Sequence, residues 1–202
     1  MKKFFVIIII LLSSNVFAHI DHYKKYNKIE MEIFRNGELI GYNYFFFSRK
    51  GDETTVTNQI KFSVKLLGAT IFKLEGYGVE KYTKDQLISY ESKTLQNNKE
   101  KFVNLIFDND KNKFNIKGSS YSGEAPTDNI IGNWWSHKIL QTDSQISPIS
   151  GSIKEQIVTF VGKEKIEQYG KTYEVDHFKL NSKDMSLPKD KRLDFDIWFD
   201  KK

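Results

Sequence analysis

The chain has no cysteine among its 202 residues. It therefore makes no disulfide, offers no thiol nucleophile and holds no iron–sulfur cluster or cysteine-ligated zinc. It also lacks the cysteine through which an exported lipoprotein carries its lipid. Arginine is scarce, with Arg35, Arg49 and Arg192 against many lysines. Beyond residue 18 no basic run exceeds two residues. Nucleic-acid binders concentrate arginine on one face, so that class of partner is excluded. No apolar stretch approaches the roughly 20 residues of a transmembrane helix, so no transmembrane anchor is expected.

The one long apolar run is short of that length. Residues 4–12 (FFVIIIILL) follow Lys2 and Lys3, and Val16-Phe17-Ala18 places small residues where a signal peptidase reads. Residues 1–18 read as a cleaved signal peptide. The mature chain, 19–202, is expected in the periplasm as a single β domain. Without Lys2 and Lys3 it has 29 basic and 26 acidic residues, a net charge of +3.

Alternation with a period of two dominates this mature part, the mark of strands with one buried face. Ile29, Met31 and Ile33 alternate with Lys28, Glu30 and Glu32. Asn36-Gly37 supplies a hairpin turn. Further strands are predicted over 39–47, 59–66, 70–83, 87–95, 101–108 and 113–118. The pattern fails between 119 and 151 and resumes over 153–161, 164–168, 171–180 and 193–200. The fold class is all-β: an antiparallel meandering sheet curled into a barrel or half-barrel. The irregular segment 119–151 is expected to cover it and to carry a short helix at 130–140. In the strand 70–83, Phe72, Leu74, Gly76, Gly78, Glu80 and Tyr82 share one face. The glycines allow a sharp bend or a close approach to the backbone. A bulge at a glycine would turn Val79 inward instead of Glu80.

The same residues carry a resemblance. Gly76-x-Gly78-Val79-Glu80-x-Tyr82-x-x-Asp85-x-Leu87 is similar to a Glu-x-Trp-x-Asp-Gly-x-Leu pattern. Ser92-x-Thr94-x-x-Asn97-x-Lys99, Ala125-Pro126, Asn133-Trp134-Trp135 and Asp196-Ile197-Trp198-Phe199-Asp200 follow it. Together they resemble a family of exported proteobacterial β-proteins of unknown function. Tyr82 stands where that pattern has an indole, and Gln86 where it has a turn glycine. The pattern would also continue into a further turn and strand after Asp200. The resemblance implies an envelope location and a curved antiparallel sheet, and it implies no activity. The half-barrels of periplasmic lipoprotein carriers are similar in architecture, which is a fold analogy and carries no function.

Several constellations are candidate sites. His19 at a new amino terminus, with His22, has the nitrogen ligands of a copper site. No other cofactor is expected. Trp134 and Trp135 lie in the irregular segment, where they either touch a ligand or close the core. Asp108-Asn109-Asp110-Lys111-Asn112 imitates the start of a calcium loop but lacks its glycine and its bidentate Glu, so it reads as a polar turn. Glu80 is a candidate buried acid beside Ser92 and Thr94. No serine-nucleophile signature, second glycosidase carboxylate or phosphate loop occurs. His177 reads as a strand residue with a local partner.

The expected function is binding, with enzymatic activity left open. An apolar small molecule or lipid-like envelope ligand would lie on a concave face, touching Phe72, Leu74, Glu80, Trp134 and Trp135. A structural or interaction protein of the cell envelope is the alternative, and a copper protein through His19 and His22 the second.

Overall fold

A computed structural model describes residues 25–200. Eight strands form one antiparallel meander: β1 (Lys28–Arg35), β2 (Glu38–Lys50), β3 (Glu53–Leu66), β4 (Ala69–Thr83), β5 (Gln86–Gln96), β6 (Lys99–Asp108), β7 (Lys113–Gly118) and β8 (Ser122–Pro126). Each strand pairs with its neighbour in sequence. Two-residue turns join consecutive strands from β1 to β6, and longer ones join β6 to β7 and β7 to β8. At Asn36-Gly37 both residues have positive φ, 52° and 81°, the backbone that matches the twist of a tight hairpin. The sheet stays open, with β1 and β8 at its edges, so the closed barrel is not formed.

The remaining strands make a second sheet, which corrects the expected single meander. Its members are β9 (Ile130–Ile131), β10 (Ser144–Ile146), β11 (Ile153–Gln168), β12 (Lys171–Ser182) and β13 (Asp194–Asp200), in the order β13-β12-β11-β10-β9. The β9–β10 pair is parallel. Period-two alternation reports which face of a strand is buried, and is silent on which sheet the strand joins. β11 was expected as two strands. It is one, with a bulge between Phe160 and Gly162 that breaks the alternation.

The core lies on one face of the first sheet. Phe45, Val56, Glu80, Tyr90, Val103, Leu105, Phe114 and Ile116 point the same way and are buried. A bulge where Lys81–Ser89 pairing gives way to Tyr82–Leu87 shifts the parity of β5, so Leu87 is buried as well as Tyr90. The segment after β8 crosses this face. Ile131 and Ile146 complete one apolar cluster with Leu105 and Phe114. Trp135 completes another with Phe45, Phe47 and Val56. A third cluster joins Ile139 to Leu180 and Leu193 on the second sheet. The segment is thus packed from both sides. The helix expected at 130–140 is a single 3-10 turn, His137–Leu140, capped by the Ser136 hydroxyl, which accepts from the Lys138 N–H. Four residues cannot bury a helical stripe, and here the tryptophan anchors the segment instead.

Candidate functional site

Even-numbered positions of β4 face inward without a break from Leu74 to Tyr82, so Glu80 enters the core at 2% exposure. No bulge forms at Gly76 or Gly78. Glycine at 78 is required by a neighbour. A Cβ there would lie 2.9 Å from the Tyr90 hydroxyl oxygen and 3.2 Å from its ring.

Three donors converge on the Glu80 carboxylate. Asn133 Nδ2 donates to Oε1 at 2.5 Å, Trp135 Nε1 donates to Oε1 at 3.0 Å, and the Tyr82 hydroxyl donates to Oε2. Burial pushes the Glu80 carboxyl above its ordinary range, and these hydrogen bonds pull it partly back. Burial beside Glu80 also raises the Tyr82 phenol well above its ordinary value. A buried carboxylate met only by donors is satisfied and structural. It ties the covering segment to β4. Trp135 is held further by edge-on contacts with Phe47 and Tyr82, at centroid distances of 5.3 and 6.1 Å.

Other buried polar groups fasten the same cover. Tyr90 and Ser92 donate to the Pro148 carbonyl at 3.0 and 2.7 Å. From the second sheet, Gln156 Nε2 donates to the carbonyls of Ile139 and Thr142, and its Oε1 accepts from Gln145. The cover is a stitched part of the core. Beneath it are cavities of about 120 Å³ beside Asn133 and Trp134, and about 170 Å³ beside Glu80, Gln86 and Lys138. Ligand pockets usually measure about 300–1,000 Å³.

A cavity of ligand size lies elsewhere, along the outward-facing side chains of the first sheet. It measures about 720 Å³. Register builds it in two rows. Tyr77 stands between Gln59 and Lys93, with Phe102 beyond Lys93. Glu75 stands between Lys61 and Leu95, with Glu100 beyond Leu95. Tyr44 closes one side. Tyr77 is 51% exposed. Lys61 reaches Glu75 at 3.5 Å. The aromatic surface continues along β2, where Tyr42 stacks on Tyr44 at 5.7 Å and Lys28 Nζ lies 4.8 Å from the Tyr44 ring. Water-facing positions of an antiparallel sheet are usually polar, so the rings of Tyr44, Tyr77 and Phe102 with Leu95, set among Lys61, Lys93, Glu75 and Glu100, are unusual.

One more polar cluster sits on the second sheet. His177 Nδ1 is 2.7 Å from Glu164 Oε1, and Nε2 is 2.9 Å from Asp196 Oδ1. Trp198 stacks on the imidazole at 4.7 Å and donates to Glu164 at 2.9 Å. The hydrogen bond to Asp196, then that to Glu164, raises the His177 pKa. An imidazole between two carboxylates donates from both nitrogens when protonated, which makes an ion-pair clasp across β11, β12 and β13. No nucleophile completes it.

Residues 31–202 match a family described as a domain of unknown function (DUF6134). The chain belongs to the DUF6134 family. No curated protein and no solved structure matches it. In this DUF6134 chain the motif pieces are brought together in space. Glu80 and Tyr82 meet Asn133 and Trp135, and Ser92 meets the same cover at Pro148. Asp196 and Trp198 form the His177 clasp.

The residues expected to touch a ligand divide. Leu74, Glu80 and Trp135 are buried. Trp134 is half-buried and meets Phe195 edge-on at 4.8 Å, bordering the 120 Å³ cavity. Phe72 stacks on Phe62 at 5.6 Å, toward the β3–β4 turn. Thr94 is buried close to Gly76 and does not bond Glu80. Asp108 caps its own turn, accepting from the N–H groups of Asp110 and Lys111. His19 and His22 lie outside the described residues. Among the described residues no group of three or more His, Asp or Glu is placed to hold a metal. Sequence reasoning missed the outward groove. Its signal was the aromatic run of β2, which fills both parities.

Proposed function

We propose that this protein is an exported, non-enzymatic binding protein of the cell envelope whose ligand is an amphiphile with an apolar body and an anionic head. The leader-like residues 1–18 support the location. The ligand lies in the outward groove, apart from Leu74, Glu80, Trp134 and Trp135. One observation carries this reading: a groove of about 720 Å³ that sets Tyr44, Tyr77 and Phe102 beside Lys61 and Lys93 on the face turned away from the core. Rings and Leu95 take the apolar body, and the lysines take the anion. The sealed inner face supports the same choice.

Titration of the mature protein with dodecyl phosphate, dodecyl maltoside and inorganic phosphate tests it. Dodecyl phosphate is expected to bind best, and Tyr77→Ala with Lys93→Glu to weaken it about tenfold or more while the thermal midpoint stays unchanged, since both residues are exposed. Equal binding of all three probes, or of wild type and variant, would discard the groove as the site.

A further inference from the structure

The turn joining β3 to β4 places leucine where the backbone favours asparagine or glycine. Leu66 pairs with Ala69, so Leu67 and Gly68 are the two central residues, with φ of 50° and 82°. An L-residue in this left-handed region is favoured only if it is Asn, Asp or Gly. The chain follows that preference at other turns, where Asn36, Asn97, Asn98 and Asn112 hold φ between 48° and 62°. At this one it places leucine, and the Leu67 side chain is 100% exposed. Leu66 and Ile71 beside it are 56% and 50% exposed. Lys84 and Tyr169 also have positive φ in their turns, but the Lys84 ammonium is at home in water and the Tyr169 hydroxyl donates to Glu32, so Leu67 is the apolar exception. Leu67 is disfavoured by its backbone and by water together, and no packing explains it.

Register makes this tip project. Leu74 pairs with Gln96, the last residue of β5, and Lys73 is bonded to Asn97 in the turn that follows, so residues 67–72 of the hairpin extend past that neighbour. On the other side the β1–β2 turn ends at the same end of the sheet and adds exposed Phe34 and Leu39. The charges around the tip are mostly of one sign. Lys65 and Lys73 flank it on its own strands, Arg35 and Lys99 stand at the neighbouring turns, Glu38 opposes them, and Glu75 pairs with Lys73 at 3.6 Å.

We infer that the β3–β4 tip is a membrane-docking element, and that Leu66, Leu67 and Ile71 enter the interface of a bilayer with anionic headgroups. A projecting apolar point ringed by lysines fits that partner. Lipid chains yield around a narrow wedge and anionic headgroups meet the cations, as at interfacial anchors. A flat protein partner would instead engage the broad faces of the sheet. This inference stands apart from the groove and does not need it.

Sedimentation of the mature protein with vesicles tests it. Vesicles of equal parts phosphatidylcholine and phosphatidylglycerol are expected to carry down wild type, and pure phosphatidylcholine much less. Leu67→Asn supplies the residue that this backbone prefers, so its thermal midpoint should hold or rise. Its partition onto mixed vesicles should fall about tenfold, and further with Ile71→Thr added. Leu67→Trp should show an emission blue shift on mixed vesicles, quenched by brominated acyl chains. Leu67→Asn should still bind dodecyl phosphate like wild type, which separates this result from that of the groove. Wild type left in the supernatant, or undiminished sedimentation of Leu67→Asn, overturns the proposal. So does a Leu67→Trp emission that vesicles do not change.

Discussion

Replacing Trp135 by phenylalanine keeps an aromatic ring in the core and removes one donor from Glu80. The lost hydrogen bond, 3.0 Å long, is made to a buried acid. Hydrogen bonds to charged groups contribute about 1.5–3 kcal/mol each. The smaller ring also loosens its contacts with Phe47 and Tyr82, which adds about 1–2 kcal/mol. The expected cost is about 4 kcal/mol, a fall in midpoint of roughly 8–16 °C for a domain of this size. Urea unfolding followed by far-ultraviolet circular dichroism measures it. The pH dependence has a definite sign. The folded-state pKa of Glu80 is raised, so its contribution is fully present below its unfolded value of about 4.3 and is lost as pH rises through the folded value. Removing the Trp135 donor raises that folded pKa further. The gap between wild type and Trp135→Phe should therefore widen as pH goes from about 4.3 to 8. In a Glu80→Leu background the Glu80–indole hydrogen bond is already gone, and the same substitution should become cheaper by about 1.5 kcal/mol or more. A Trp135→Phe cost below about 1 kcal/mol, or the same cost in both backgrounds, would refute the latch.

Two further outcomes follow from particular contacts. Gly78→Ala should destabilise by about 1–3 kcal/mol in the same urea assay, because the new methyl meets the buried Tyr90 ring. His177→Gln should change the pH profile of stability. The raised pKa of His177 means that its contribution is complete below about 6.5 and fades as pH climbs through the folded value, so the variant's deficit should shrink above neutrality. An NMR titration of the His177 ring checks the direction independently.

Much of the first sheet could be read from the chain. β7 was expected at its observed bounds, and β4 within a residue, because alternation there is unbroken and the turns are polar. Glu80 was placed on the inner face by parity alone. Its partners were not legible as partners, since Asn133 and Trp135 lie 53 and 55 residues away and belong to a segment without periodicity. β8 was missed because Gly123 and Pro126 argue against a strand, which an edge position tolerates. β9 and β10 are too short to show any period. The split into two sheets was hidden for a different reason: pairing partners are set by the covering segment, which fills the space where another turn of a barrel would close. The groove escaped attention because the aromatics of β2 were credited to one buried face, whereas Tyr42, Tyr44 and Phe46 point away from Phe45 and Phe47.

Native mass spectrometry of the protein recovered from its native cells, run beside the Tyr77→Ala, Lys93→Glu variant, tests the central claim most directly. The account predicts an anionic amphiphile on the wild type that survives gentle ionisation and is lost from the variant. Bare wild-type protein, or the same adduct on both, would contradict it.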